Sequence, residues 1–520
     1  MKNWYYLFFF ILTGIIACSE DILIEDVRDE LTADNLYATP EGFEYGLNAI
    51  YSMVRLERSP YGTGTIRGVF AITATDAYYM ARFNAGDMCF TEWKSYMNPS
   101  LVSVENFWNL LYRIINSVNT IIERAERKDV VWISGDEKNE VIAQARCIRA
   151  WAYRHLTYCW GDVPLALNES SGSSIKLDWT RVSKQDVWKV MEEDWQFAAQ
   201  YLPDMQKLPG RLNKSVALHY LAELYLAMGD PEKAEVAALA VVNNPKFKLI
   251  TERYGVKANE PGTPFMDQYI NGNVFYSQGN TEVLWEFPFE KNVTGGGSNT
   301  MRRCWVARYE MIPNCSNSLK TIGRGTEFLS VTDFAFSRYE PGDVRGGEFA
   351  IHRYVINNFG DTVFTRLAAK PEPLTDSYRP STAKWDDGDP MNPTNSGGYH
   401  DQPYLRLAET YLLLAESQFL LGESDEAAAT INKLRTRAKA SLITASQVNI
   451  DFILDERIRE LLTEEHRRYT LLRLDKWFDR TKQYNHQCGT FIQEHNKLYP
   501  LPQSVIDANI NAEMPQNPNY

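Results

Sequence analysis

The sequence predicts a mainly α-helical protein in which paired helices form a scaffold and a loop-rich lobe with a few short strands is inserted into it. Three observations predict this. Apolar residues recur at helical spacing through much of residues 39–250 and 400–520. A helix–turn–helix pattern occurs twice, at one constant offset. Between the two copies, over about 250–400, the composition shifts to Gly, Pro, Asn and aromatic residues.

In chain order, Lys2 is followed by an apolar run over residues 4–16, the length of a signal-peptide core and too short to span a bilayer. It ends in Ile15-Ile16-Ala17-Cys18, similar to a bacterial lipobox, which predicts cleavage before Cys18 and lipid on its thiol. Acyl chains supply membrane attachment; no later apolar run has the length of a membrane span. Residues 1–17 thus read as a signal peptide, 18–38 as an acidic tether and 39–520 as one domain. Thr39-Pro40-Glu41 starts a helix through a Thr cap, a first-turn Pro and an acid at the positive end, with Phe43, Leu47, Ile50 and Val54 on one face. A Gly- and aromatic-containing stretch (59–102) precedes a helix carrying Phe107, Leu111, Ile114 and Val118. Further helices are expected over 137–159, stopped by Gly161 and Pro164, and over 187–202.

In the repeat, Leu221-Ala222-Glu223 precedes Gly229-Asp230-Pro231-Glu232-Lys233-Ala234, and Leu414-Ala415-Glu416 precedes Gly422-Glu423-Ser424-Asp425-Glu426-Ala427. Each is a helix, a Gly turn and a second helix with Ala at the crossing, similar to a tetratricopeptide unit. Small Ala lets the helices approach, and each pair offers an apolar face to the next. The stretch ending at Gly161 is a weaker third copy. Within the lobe, Val283-Leu284-Trp285-Glu286-Phe287 reads as a strand, and 295–298, 341–343 and 386–390 as turns.

The formal charge of −13 repels nucleic-acid phosphates, so no nucleic-acid partner is expected. Aromatic residues make up 13%, which suits sugar stacking and a large core equally. Beyond Cys18 there are Cys89, Cys147, Cys159, Cys304, Cys315 and Cys488, with no C-x-x-C pattern; Cys304 and Cys315 are the pair closest in sequence. No H-E-x-x-H, G-x-S-x-G or P-loop is present, and neither enzyme activity, a cofactor nor a metal is expected. Glu456, Glu460 and Glu464 with Arg457, Arg467 and Arg468 read as a helix face carrying ion pairs, Glu464 and Arg468 being four apart. The acids at 386–389 lack full calcium-loop spacing and read as a solvated turn. Trp151, Trp188, Trp195, Trp285 and Trp477 read as core.

The second repeat begins in Tyr404-Leu405-Arg406-Leu407-Ala408-Glu409 and continues through Ile431-Asn432-Lys433-Leu434-Arg435. Glu456-Arg457, Glu460-Leu461, Glu464 to Arg468 and Leu474-Asp475-Lys476-Trp477 follow, then Leu498-Tyr499-Pro500-Leu501-Pro502 and Gln516-Asn517-Pro518-Asn519-Tyr520. Together with Arg149-Ala150-Trp151-Ala152-Tyr153 and Gly161-Asp162-Val163-Pro164, these resemble the motifs of SusD/RagB-like lipoproteins of the Bacteroidetes. The family often has Gly where Asn519 stands; Asn is the next-best residue for a left-handed backbone. The resemblance implies a helical body of tetratricopeptide-like pairs with a loop-rich lobe. It further implies a lipid-anchored protein at the outer-membrane surface, which captures an oligo- or polysaccharide and delivers it to a SusC-like TonB-dependent transporter. Ser19-Glu20-Asp21 resembles the surface-export signal of such lipoproteins.

The binding candidates lie on loops: Tyr78, Tyr79, Arg82, Phe83 and Trp93 in the first loop-rich stretch, and Trp305, Tyr309 and Asn314 in the lobe. Trp93 and Trp305 lead as stacking platforms, with Arg and Asn as partners for vicinal hydroxyls; the competing reading packs each ring inside its own lobe. Peptide or glycopeptide capture and a non-binding helical interaction scaffold stand as alternative functions.

Overall fold

The computed structural model describes residues 32–58, 69–81, 89–365, 378–386, 394 and 397–520. The leader, Cys18 and the tether up to residue 31 lie outside the described residues. Helix α1 (Pro40–Arg55) starts as its sequence dictates: the Thr39 hydroxyl accepts from the Gly42 N–H at 3.4 Å, and Pro40 occupies the first turn, where no N–H is needed. Phe43, Leu47, Ile50 and Val54 bury its inner face, each contributing about 1.5–3 kcal/mol of hydrophobic stabilisation.

The scaffold continues through α2 (Val102–Ala125), α3 (Gly135–Trp160), α4 (Lys184–Tyr201), α5 (Lys214–Met228), α6 (Pro231–Val242), α7 (Leu407–Leu420) and α8 (Ser424–Arg437). Each of α2 to α8 packs against the next in this order, so α6 meets α7 across the insertion, and the lobe leaves the stack unbroken. The two repeat pairs, α5–α6 and α7–α8, are therefore adjacent. Gly229 and Gly422 end their first helices at φ of 78° and 83°, a left-handed backbone that a side chain would strain. Ala222, Ala234 and Ala238 in one pair and Ala415, Ala427 and Ala428 in the other are buried at the crossings. The pairing of α2 with α3 extends the same row toward the N-terminus. Asn519 takes the left-handed backbone, at φ 68°. Among the described residues no helix is long and apolar enough to cross a membrane.

The strands are short and paired in twos. β1 (Tyr78–Met80) runs antiparallel to β3 (Leu329–Val331), and β2 (Val283–Phe287) to β8 (Gln402–Arg406); β4 (Ile351–His352) pairs with β7 (Ser381–Thr382), and β5 (Tyr354–Ile356) with β6 (Thr362–Phe364). The first pairing joins the N-terminal loop-rich stretch to the lobe, two regions some 250 residues apart. The second leads directly into α7 and ties the lobe to the scaffold. All six described cysteines are buried and none is joined to another by a disulfide; Cys304 and Cys315 fall in separate apolar clusters.

The acidic motif carries ion pairs, but not along one helix face as expected. Helix α9 (Ile450–Leu461) ends before Glu464, Thr463 turns to φ 65°, and a new helix, α10 (Arg467–Arg473), begins, so Glu464 and Arg468 are not paired along one helix. These charges are buried and bond far along the chain. Arg345 of the lobe donates to Glu456 at 2.8 Å and to Glu460 at 3.3 Å. Arg406 bridges Glu282 and Glu464, each at 2.6 Å, and Arg437 bridges Glu282 and Glu460 at 2.8 and 2.5 Å. Lys384 donates to Glu464 and to the Leu462 carbonyl. Burial pushes the Glu460 carboxyl up, but Arg437, Arg406 and Arg345 outweigh it and hold it well below the usual carboxylate range. A parallel cluster sets Arg467 and Arg480 on Asp76 at 2.7 Å each. Arg468 instead lies over the rings of Trp477, Tyr499 and Trp93. The motif is thus the joint between lobe and scaffold; it carries ion pairs as expected, but to distant partners rather than along one helix.

Candidate ligand-binding cleft

Most of the aromatic residues expected to form a platform are core. Trp93 is 1% exposed, stacked on Tyr499 with ring centroids 5.5 Å apart. Trp305 is 2% exposed, edge-on to Tyr78 at 5.2 Å, and the Tyr78 hydroxyl accepts from the Thr463 N–H. Tyr79 packs on His486 beneath the Arg379 guanidinium, and the Tyr309 hydroxyl donates to the Arg379 carbonyl at 2.9 Å. These five rings offer no face to a ligand. Their partners come from distant segments: β1 brings Tyr78 onto Trp305, while Tyr499 and Trp477 of the C-terminal region enclose Trp93. Asn314 is exposed, at φ 61°, and its carbonyl accepts from the Asn358 N–H at 2.6 Å. Arg82 and Phe83 lie outside the described residues.

The lobe instead opens a cleft of about 670 Å³ between residues 253–271 and 397–400, closed by Arg302, Phe349 and Asp386. That volume falls within the range of small-ligand sites. Phe349 and Tyr399 are 37% and 38% exposed at its rim. Asp267 accepts from the Arg253 Nε at 2.7 Å and the Tyr254 N–H at 3.0 Å. Asp386 accepts from His352 Nε2 at 2.6 Å, so it is not the solvated turn the sequence suggested; residues 387–389 lie outside the described residues. Each aspartate keeps its other oxygen buried with no protein partner, an arrangement that a polar group entering the cleft wall would satisfy. Burial raises the Asp386 carboxyl above its ordinary value, against the pull of His352, and pushes the His400 imidazole down to about 4, neutral at physiological pH. The cleft carries Arg253, Lys257 and Arg302 against Glu260, Asp267 and Asp386, so its charges balance. A wall of matched charges, hydrogen-bonding groups and two accessible rings suits a neutral, hydroxylated ligand better than a phosphate or a strong acid.

A second groove of about 640 Å³ lies along α2, walled by Trp108, Tyr112, Leu177 and Trp179, with Glu105 and Lys176 as its only charged residues. Its walls are more apolar and suit hydroxyl recognition less.

The fold also gathers Glu57, His155 and His466 within 4.8 Å of one another, a cluster that sequence spacing did not announce. The donor set does not fit a metal. Arg154 donates to His466 Nδ1 at 2.9 Å, so the neutral ring carries its proton on Nε2 and donates it to Glu57 at 3.1 Å. Burial, reinforced by Arg154 and Arg58, holds that imidazole well below its ordinary pKa.

Sequence reasoning missed Phe349, Tyr399, His400 and Asp267. The available signal was Gly397-Gly398-Tyr399-His400, an aromatic pair behind two glycines where the lobe returns to the scaffold.

A helical-repeat body presenting a loop-built cleft defines a ligand-binding protein rather than a helical adaptor alone. The chain belongs to the SusD family: the model described as "SusD family" matches residues 368–520, and that described as "Starch-binding associating with outer membrane" matches 71–226. It is 26% identical, across the full length of both chains, to SusD-like protein P2 of Formosa agariphila. Its fold is similar to that of a laminarin binding SusD-like protein, at TM-score 0.73 and 20% identity over 92% of this chain and 99% of the other. It is also similar to surface glycan-binding protein A from Bacteroides fluxus, at TM-score 0.71 and 18% identity over 92% and 99%.

Proposed function

We propose that this protein captures a neutral glycan in the lobe cleft and passes it, uncleaved, to a SusC-like TonB-dependent transporter while held at the outer-membrane surface by lipid on Cys18. The charge-balanced cleft rimmed by Phe349 and Tyr399 carries this reading. Rings stack on the apolar faces of pyranoses, while the polar wall bonds their hydroxyls. The glycans named for two structural relatives support the ligand class, and the family's description supports the outer-membrane setting. Asp267 and Asp386 are each committed to a cationic or imidazole partner, which supports binding rather than acid–base cleavage.

The test is affinity electrophoresis of the chain starting at Ser19 in gels containing laminarin, starch, xylan, xyloglucan or mannan. Retardation by one of them is expected, weakened in Tyr399→Ala and Phe349→Ala proteins that melt like the parent. The retarding glycan, recovered after incubation, should keep its length. No retardation by any member of the panel overturns the glycan reading and turns the search to peptides.

A further inference from the structure

The β5–β6 hairpin places apolar side chains on its outward face. In its register Tyr354 faces Phe364, Val355 faces Val363 and Ile356 faces Thr362. The alternation sends Val355 inward, 3% exposed, onto the cluster of Tyr309 and Ile312. It leaves Tyr354 37%, Ile356 46% and Phe364 70% exposed, with Phe359 at the tip 75% exposed. No outward position of the two strands is charged. The hairpin is held at both ends: the Asn358 N–H donates to the Asn314 carbonyl at 2.6 Å, and the Thr365 N–H to the Arg353 carbonyl at 2.9 Å. Its backbone is therefore preorganised, and a ligand meeting it pays little for ordering the hairpin.

The hairpin follows closely in sequence on the cleft rim. The Tyr354 hydroxyl donates to Glu348 at 3.3 Å, and Glu348 directly precedes Phe349 of the cleft rim. Four residues lie between Phe349 and Tyr354, so the two are at most ~18 Å apart. From Tyr354 to Ile356 the outward face rises roughly 7 Å, and the turn beyond it carries Phe359.

We infer that this hairpin is a second stacking platform, over which a neutral polysaccharide chain seated in the cleft continues outward, so that the protein favours polymer over short oligosaccharide. The inference rests on the glycan reading above. Area separates this occupant from a protein partner: the exposed portions of the three rings come to roughly 400 Å², about half of what each partner contributes to a stable protein interface. The uncharged outward face matches an uncharged polymer.

The experiment takes the polysaccharide that retards the parent chain and, by calorimetry, compares it with the trimer prepared from it. The proteins are the parent, a Tyr354→Thr/Phe359→Ser/Phe364→Thr variant and a Phe364→Tyr variant, with thermal melts as fold controls. The triple variant removes only outward side chains and should melt like the parent. Expected is an affinity loss of about tenfold or more for the polymer, none for the trimer, and parental behaviour in Phe364→Tyr, which keeps a ring. Unchanged polymer binding by the triple variant would overturn the platform and leave the cleft reading standing. Equal loss for polymer and trimer would also overturn it, by making the hairpin part of a single short site. A triple variant with parental glycan binding that no longer co-purifies with a transporter would assign the face to protein. A parent chain that binds no polysaccharide would bring down the glycan reading and this one with it.

Discussion

Arg406→Met tests whether the buried charge network joins lobe to scaffold. The Arg406 side chain is 1% exposed and donates to Glu282, Glu460 and Glu464. Removing one partner of a buried ion pair costs about 3–5 kcal/mol, because the remaining charge stays desolvated. Here each carboxylate keeps some support: Glu282 retains Arg437 at 2.8 Å, Glu460 retains Arg437 and Arg345, and Glu464 retains Lys384 and the Tyr269 hydroxyl. The loss should therefore fall at the lower end, about 3 kcal/mol at pH 8. It should also depend on pH. Without Arg406 the Glu460 and Glu464 carboxyl pKa values rise in the folded state, so the folded variant takes up a proton the parent does not, and its deficit shrinks as pH falls, by up to about 1.4 kcal/mol per pH unit for each proton. Urea unfolding followed by tryptophan fluorescence at pH 8 and pH 5 reads both quantities. Arg406→Lys, which keeps the charge and loses the fork, should fall between parent and Met variant. A deficit below about 1 kcal/mol at pH 8, or the same deficit at both pH values, would refute the reasoning.

Trp93→Ala should cost about 3–5 kcal/mol and lower the melting temperature, while the folded fraction binds glycan as the parent does; normal melting with lost retardation would return Trp93 to the binding surface. Glu286, whose carboxyl burial pushes up to about 7 despite bonds from Gln206 and Gly210, holds a proton in the folded state that the unfolded chain has released. Its contribution to stability is therefore present at low pH and lost as pH rises through about 7. Glu286→Gln should gain stability relative to the parent by roughly 3 kcal/mol between pH 4.5 and pH 8, and a flat difference across that window would refute it. His155, pushed well below its ordinary pKa by burial and then by its neighbour His466, has the opposite sign: the unfolded chain binds its proton first. Stability arising from it is lost as pH falls below about 6.5. His155→Gln should flatten that acid limb in denaturation curves, and an unchanged limb would count against it.

What the sequence carried was local. The Thr39 cap, the helix faces, the helix–turn–helix pattern within each copy of the repeat and the left-handed Asn519 all follow from residues near one another in the chain. What it hid was assembled over distance. Arg345, Arg406 and Arg437 meet the α9 carboxylates across intervals of 23 to 115 residues, and no periodicity announces such partners. The cleft draws on Asp267, Phe349 and Tyr399, more than a hundred residues apart from first to last. The displaced expectation at Trp93 and Trp305 has the same origin. A ring in a Gly-rich stretch reads as a surface ring until distant segments supply its neighbours, Tyr499 and Trp477 for Trp93 and Tyr78 for Trp305.

The fastening of the lobe also bears on how such a protein can change over generations. Arg345 and Lys384 grip carboxylates of α9 and the turn beyond it, and the described strands between them, β4 to β7, pair with one another. Mutations that lengthen, shorten or redecorate that stretch leave the grip intact and the frame in place. Ligand preference can then drift while the molecule keeps its shape for whatever it docks against: the diet is rewritable and the fitting is not.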